Sequence, residues 1–151
     1  MDITVAAVGR MKSGPIKALW DDYAKRITWT VSLREIEEKR PLPPAELKPR
    51  EAELLIKAIP PSSFLVALDA SGRALDSPAF ARRMGQWMEQ SGGRVAFAIG
   101  GADGLAGSFV QNASFVLGLG AMTWPHMLGR IMLIEQIYRA QCILTNHPYH
   151  R

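Results

Sequence analysis

An α/β fold, with a mainly parallel sheet held between helices, is predicted by three features of this 151-residue chain. Short apolar runs of strand length recur at residues 3–8, 64–68, 94–99 and 115–117. Stretches with apolar residues at helical spacing lie between them. The strand runs are continuous rather than alternating, which is the mark of strands covered on both faces.

In chain order, residues 3–8 form a buried strand that ends at Gly9. Ser13 is placed as the N-cap of a helix opened by Pro15, whose face carries Ile16, Leu19, Trp20, Tyr23, Ala24 and Ile27. Residues 28–37 are rich in β-branched side chains and predict a second strand. Pro41, Pro43, Pro44 and Pro49 predict a loop, leading to a short helix over 51–59 closed by Pro60 and Pro61. The strand 64–68 should stop at the turn Asp69-Ala70-Ser71-Gly72. Ser77-Pro78 opens a helix that buries Phe80, Met84, Trp87 and Met88, and Gly92-Gly93 ends it. After the strand 94–99 come the loop Gly100-Gly101-Ala102-Asp103-Gly104, a short helical segment, the strand 115–117 and a last helix over 127–144. Residues 1–151 are read as one domain.

Composition narrows the function class. Hydrophobic residues at 48% and charged residues at 21% exclude a disordered chain. A net charge of +4 permits an acidic partner without requiring one. The single cysteine, Cys142, cannot form an internal disulfide, which favours a reducing cytoplasm. No basic-then-apolar leader follows Met1. Arg130, Glu135 and Arg139 interrupt the longest apolar run, so no membrane span is expected.

Ligands of parallel α/β sheets bind beyond the carboxyl ends of the strands. The small-residue loops after Leu68, Ile99 and Leu117 would share that rim and form a pocket. The loop 100–104 lacks the Gly-Lys-Ser/Thr ending of a phosphate loop, and Gly118-Leu119-Gly120 places Thr123 where a dinucleotide fingerprint needs glycine. Cys142, His147 and His150 match no zinc spacing, so no metal is expected. The last helix is apolar on more than one face, so a homodimer through this helix is the economical expectation, with a fully internal helix as the alternative. Glu135 and Arg139 can pair at i, i+4, or the arginines can face a phosphate. His126 either caps or packs at the helix start. The polar ending 145–151, with His147, Tyr149, His150 and Arg151 around Pro148, suggests a site, because chain ends are ordinarily dispensable.

Four blocks carry a resemblance: Ile99-Gly100-Gly101-x-x-Gly104, Met122-Thr123-Trp124-Pro125-His126, Glu135-Gln136-Ile137-Tyr138-Arg139-Ala140 and Thr145-Asn146-His147-Pro148-Tyr149-His150. In this order, and with the N-terminal strand and the Leu68-Asp69 turn, the chain resembles the bacterial large-subunit ribosomal RNA methyltransferase H family, of the SPOUT class. The resemblance implies a C-terminal trefoil knot, a homodimer and S-adenosylmethionine as methyl donor. It implies methylation of N3 of pseudouridine 1915, in helix 69 of 23S ribosomal RNA, on the assembled 70S ribosome. Carried over by motif, the cofactor pocket would use Leu68, Gly100, Leu119, Gly120, Ala121, Met122, Thr123 and Trp124. His150, Arg139 and Tyr149 would be catalytic, and Arg130, His126 and Arg151 would contact RNA. Gly120 stands where many relatives carry Ser, and Gly129 replaces a bulkier apolar residue. The alternative is a non-catalytic ribosome- or RNA-binding module that retains the fold.

Overall fold

A computed structural model describes residues 1–151. Its five strands are β1 (Asp2–Val8), β2 (Thr30–Ile36), β3 (Phe64–Ala74), β4 (Arg94–Ile99) and β5 (Phe115–Gly118). They lie in the order β2-β1-β4-β3-β5, every neighbouring pair parallel. The helices are α1 (Pro15–Arg26), α2 (Pro44–Ala58), α3 (Ser77–Gln90), α4 (Gly107–Asn112) and α5 (His126–Leu144). The expected α/β class and parallel sheet are thus present.

Strand periodicity sorts the side chains into two layers. Ile3, Val5 and Ala7 of β1 join Val66, Val95 and Phe97 in the larger core, against α1, α3 and α5. Ala6 and Val8 point the other way, toward Ala52 and Leu55 of α2 and Phe109 of α4. On that second face the register sets Ala6 opposite Ala98, and Ala98 opposite Ala67. A row of methyl groups crosses the three central strands, so α2 and α4 approach closely with little volume between.

The larger core is aromatic at its centre. Trp87 stacks on Phe64 with centroids 5.3 Å apart and meets Phe115 at 5.1 Å. Such pairs add about 0.5–1.5 kcal/mol each beyond their buried area. Helix α5 lies between α1 and α3. Its Gln141 Oε1 accepts from the Thr28 N–H at 2.8 Å, just past the end of α1, and Gln136 Oε1 accepts from the Ser77 hydroxyl at 2.7 Å. The apolar excess of α5 is therefore largely consumed inside one chain, since Ile131, Leu133, Ile134, Ile137 and Cys142 are all buried. The apolar excess that pointed to a dimer through this helix is thus mostly met within the chain, as in the alternative reading, leaving Leu128 and Leu144 exposed.

Three local expectations need correction. Helix α2 begins at Pro44, not at Glu51, and runs through Pro49. Pro44 occupies the first turn, where a missing N–H costs nothing. Pro49 is a true interior proline, and burial of Ala52 and Leu55 outweighs its lost hydrogen bond. Ser13 does not cap α1; Gly14, at φ 148°, holds that position with no side-chain bond. The segment 69–72 does not end β3, because pairing with β5 resumes at Arg73 and Ala74 after a register shift. The close seam there depends on Gly118, whose Cβ would lie 2.6 Å from the Gly72 carbonyl oxygen.

Candidate active site

The irregular stretch of β3 at Leu68–Ala70 and the carboxyl ends of β4 and β5 share a rim, and a cavity of about 550 Å³ opens on it. Leu68, Asp69 and Ala70 form one wall, the loop 100–104 a second, and residues 119–126 with Gly129 the third. This size suits a nucleoside-sized ligand. Every residue expected in the cofactor pocket lines it: Leu68, Gly100, Leu119, Gly120, Ala121, Met122, Thr123 and Trp124.

Two glycines shape the walls. A Cβ on Gly100 would fall 2.6 Å from the Gly104 carbonyl carbon and 2.7 Å from the Leu105 nitrogen, so the 100–104 loop closes only around a bare backbone. Gly120 has φ 100°, a left-handed conformation that a serine would enter with strain. Gly129 faces the cavity with its Cβ position 3.8 Å from Leu119 Cδ1, so a larger residue there would occupy cavity space. The apolar components, including Leu68, Ile99, Leu117 and the exposed Met122 and Trp124, fit the flat face of a base. The bare backbone of the glycine loops fits its polar edge. The residues present therefore match an adenosine-type cofactor. No three His, Cys, Asp or Glu side chains cluster as metal ligands.

The residues expected to meet RNA separate. Arg130 is 0% exposed and offers no surface to a phosphate, which corrects that expectation. Its Nε donates to His126 Nε2 at 2.9 Å, Nη1 to Glu35 Oε2 at 2.6 Å, and Nη2 to the carbonyls of Val8 and Gly9 at 3.1 Å each. The charge is neutralised and the fork is fully used, pinning the start of α5 to the ends of β1 and β2. His126 lines the cavity and, as acceptor from Arg130, is held neutral. Burial first, then the Arg130 charge, push its pKa below the ordinary 6.5. Arg151 is exposed at the chain end.

The expected catalytic group assembles as a cluster. Glu135 Oε1 accepts from Arg139 Nη2 at 2.6 Å and from the Tyr149 hydroxyl at 3.0 Å. Arg139 lies 4.7 Å over the Tyr149 ring, and its Nη1 is 3.3 Å from His150 Nδ1. Tyr149 also packs on Tyr138 at 4.7 Å. Burial, then hydrogen bonds to Tyr23 and Glu135, push the Tyr149 phenol upward, so it stays protonated and acts as a donor. The tail is thus folded back on α5. Gly129 is the last α5 residue on the cavity, and the helix rise puts Arg139 roughly 15 Å further along. His150, Arg139 and Tyr149 come together, but away from the cavity of their own chain.

Two participants were not foreseen, Glu35 and Glu51. Glu35 follows Arg34 in a strand that also holds Thr30 and Ser32, so nothing local in β2 marks it as the partner of a buried arginine. Glu51 falls four residues before Leu55, on the inward stripe of α2.

Against known proteins, a family model described as "Predicted SPOUT methyltransferase" matches residues 1–150. The chain belongs to the SPOUT methyltransferase family. Two relatives carry the name ribosomal RNA large subunit methyltransferase H. That of Rhodospirillum centenum is 52% identical over 100% of this chain and 99% of its own length. That of Rhodospirillum rubrum is 50% identical with the same coverage. A protein described as "a probable methylase family protein from Haemophilus influenzae Rd KW20" shares the fold, with a TM-score of 0.61 over 99% of this chain and 70% of that one, at 13% identity. No helix is long and apolar enough to cross a membrane.

Proposed function

We propose that this protein methylates N3 of pseudouridine 1915, in helix 69 of 23S ribosomal RNA, on the assembled ribosome in the cytoplasm. Residues 1–151 act as one SPOUT domain, with the trefoil knot that the family resemblance implies. The observation that carries the reading is the cavity on the strand rim, built from two glycine loops and an apolar wall. The names of the methyltransferase H relatives point the same way. S-adenosylmethionine, when bound there, supplies an activated methyl group. Leu68, Leu119, Met122 and Trp124 hold its base, and the Gly100 and Gly120 backbones take its polar edge.

The acceptor imide must lose a proton to become nucleophilic. His150 is the group of the tail placed to take it, and Arg139 offsets the charge that develops. Tyr149 orients both through Glu135. General-base help of this kind is worth roughly 10²–10⁴ in rate. Because the tail lies some 15 Å from its own cavity, the acting tail comes from a second copy in a homodimer. Met122 and Trp124 at the cavity mouth and Leu128 on α5, exposed by 75%, 42% and 41%, offer that copy an apolar surface. Arg151 and other basic residues at the surface grip the phosphates.

The test is transfer of labelled methyl to whole ribosomes and to naked ribosomal RNA, with the modified base mapped. Methylation of ribosomes at that pseudouridine is expected, with little on naked RNA. Cofactor binding without methyl transfer to either substrate would instead favour a non-catalytic RNA-binding module.

A further inference from the structure

We propose that Glu51, together with Asp103, makes this cavity selective for a ligand carrying positive charge, favouring the sulfonium cofactor over its neutral-sulfur product. The inference rests on the methyltransferase reading above.

The chain carries 18 Lys and Arg against 14 Asp and Glu, yet no lysine or arginine lines the cavity. Its charged lining is Asp69 and Asp103 alone. The nearest guanidinium along the chain, Arg130, is already neutralised by Glu35 at 2.6 Å. A basic protein has therefore built an acidic pocket.

Glu51 deepens that bias from behind. Most of its side chain is covered, no protein donor meets its carboxylate, and the carboxylate oxygens keep contact with solvent. It stands two turns into α2, beyond the reach of the helix-end dipole, so local helix electrostatics do not explain it. Its place is set by Gly101, which lines the cavity: a Cβ there would sit 3.1 Å from Glu51 Oε2 and 3.1 Å from Val8 Cγ1. The glycine makes room for the carboxylate, so a single backbone residue separates it from the cavity. Burial, then repulsion from Asp103, push the Glu51 carboxyl above its ordinary range, as expected for acids that share one field and lack a cation.

A cationic ligand beside the 100–104 loop would be favoured by both carboxylates. Unit charges a few ångströms apart at an effective dielectric of about 20 alter affinity by roughly tenfold or more. Once the sulfur has lost its positive charge the same carboxylates no longer favour the ligand, which promotes product release.

Affinities for S-adenosylmethionine and S-adenosylhomocysteine, measured by calorimetry on the full chain, test this directly. Glu51→Gln is expected to lower the ratio of the two affinities roughly tenfold, with homocysteine-form binding within about twofold of wild type. Asp103→Asn, at an exposed position, should lower the ratio in the same sense, and it stands in if Glu51→Gln does not fold. Glu53→Gln, exposed on the same helix, should leave it unchanged. An unaltered ratio in both Glu51→Gln and Asp103→Asn, or equal loss of both ligands, would overturn the proposal. Failure of the wild type to bind either ligand would instead remove the methyltransferase reading itself.

Discussion

Arg130 Nη1 and Glu35 Oε2 meet at 2.6 Å although 95 residues separate them in sequence. The pair joins the last helix to an edge strand and, through Val8 and Gly9, to the sheet centre. Removing one member of a buried pair leaves the other uncompensated, at about 3–5 kcal/mol. Arg130→Ala should therefore lose about that much stability in urea unfolding. Arg130→Met with Glu35→Gln should recover part of it. A single variant as stable as wild type would show that the pair contributes little.

His126 gives the protein an acid-sensitive joint. Its folded pKa lies below the ordinary 6.5, from burial first and Arg130 second. A lowered histidine contributes stability that is full above the unfolded value and is lost as pH falls through the folded one. Wild type should thus destabilise below pH 6.5 as the imidazole charges against Arg130. His126→Gln keeps an acceptor that does not titrate, and its melting temperature should depend less on pH in that window. Parallel pH profiles for the two proteins would contradict this.

Gly100→Ala should abolish the cavity more than the fold. The added methyl would meet Gly104 and Leu105 backbone atoms at 2.6–2.8 Å, and backbone cannot turn aside as a side chain can. Cofactor affinity should fall at least tenfold, with a stability loss of about 1–3 kcal/mol from overpacking. Equal affinity for wild type and variant would place the cofactor elsewhere.

The tail variants separate chemistry from binding. His150→Ala should lower turnover on saturating ribosomes by roughly 10²-fold or more. Tyr149→Phe deletes only the hydroxyl bonded to Glu135 and should cost about 0.5–1.5 kcal/mol of tail docking. Both should bind cofactor nearly as wild type does. Unchanged turnover for His150→Ala would remove that residue from proton transfer.

The sheet and the cofactor rim were legible because their signals are local. Apolar runs mark the strands, and small residues after Leu68, Ile99 and Leu117 mark the loops that converge. The Pro44 start of α2 was not legible, because proline at a first turn and proline in a loop look alike without tertiary contacts. Arg130 misled for a similar reason: an arginine on an apolar helix reads as exposed until its partners, Glu35 and two backbone carbonyls, are seen. The Glu135–Arg139 pair was legible from helix spacing, but the tail did not show that it folds onto that pair, since the Tyr149 and His150 contacts depend on how the chain returns after Leu144.

The strand order has a consequence for how this chain reaches its native state. β1 lies between β2 and β4, and its pairing with β4 joins Asp2 to Arg94 and Ala7 to Ile99. The bonds of Arg130 to Val8 and of Gln141 to Thr28 span still greater loops. The β1–β4 seam and the docking of α5 wait for residues far along the chain, and such long-range closures slow folding. A fragment ending before α5 would expose the apolar faces of α1, α3 and the sheet together. It should aggregate rather than persist as a partial fold, so this small enzyme gains its shape as a whole or not at all.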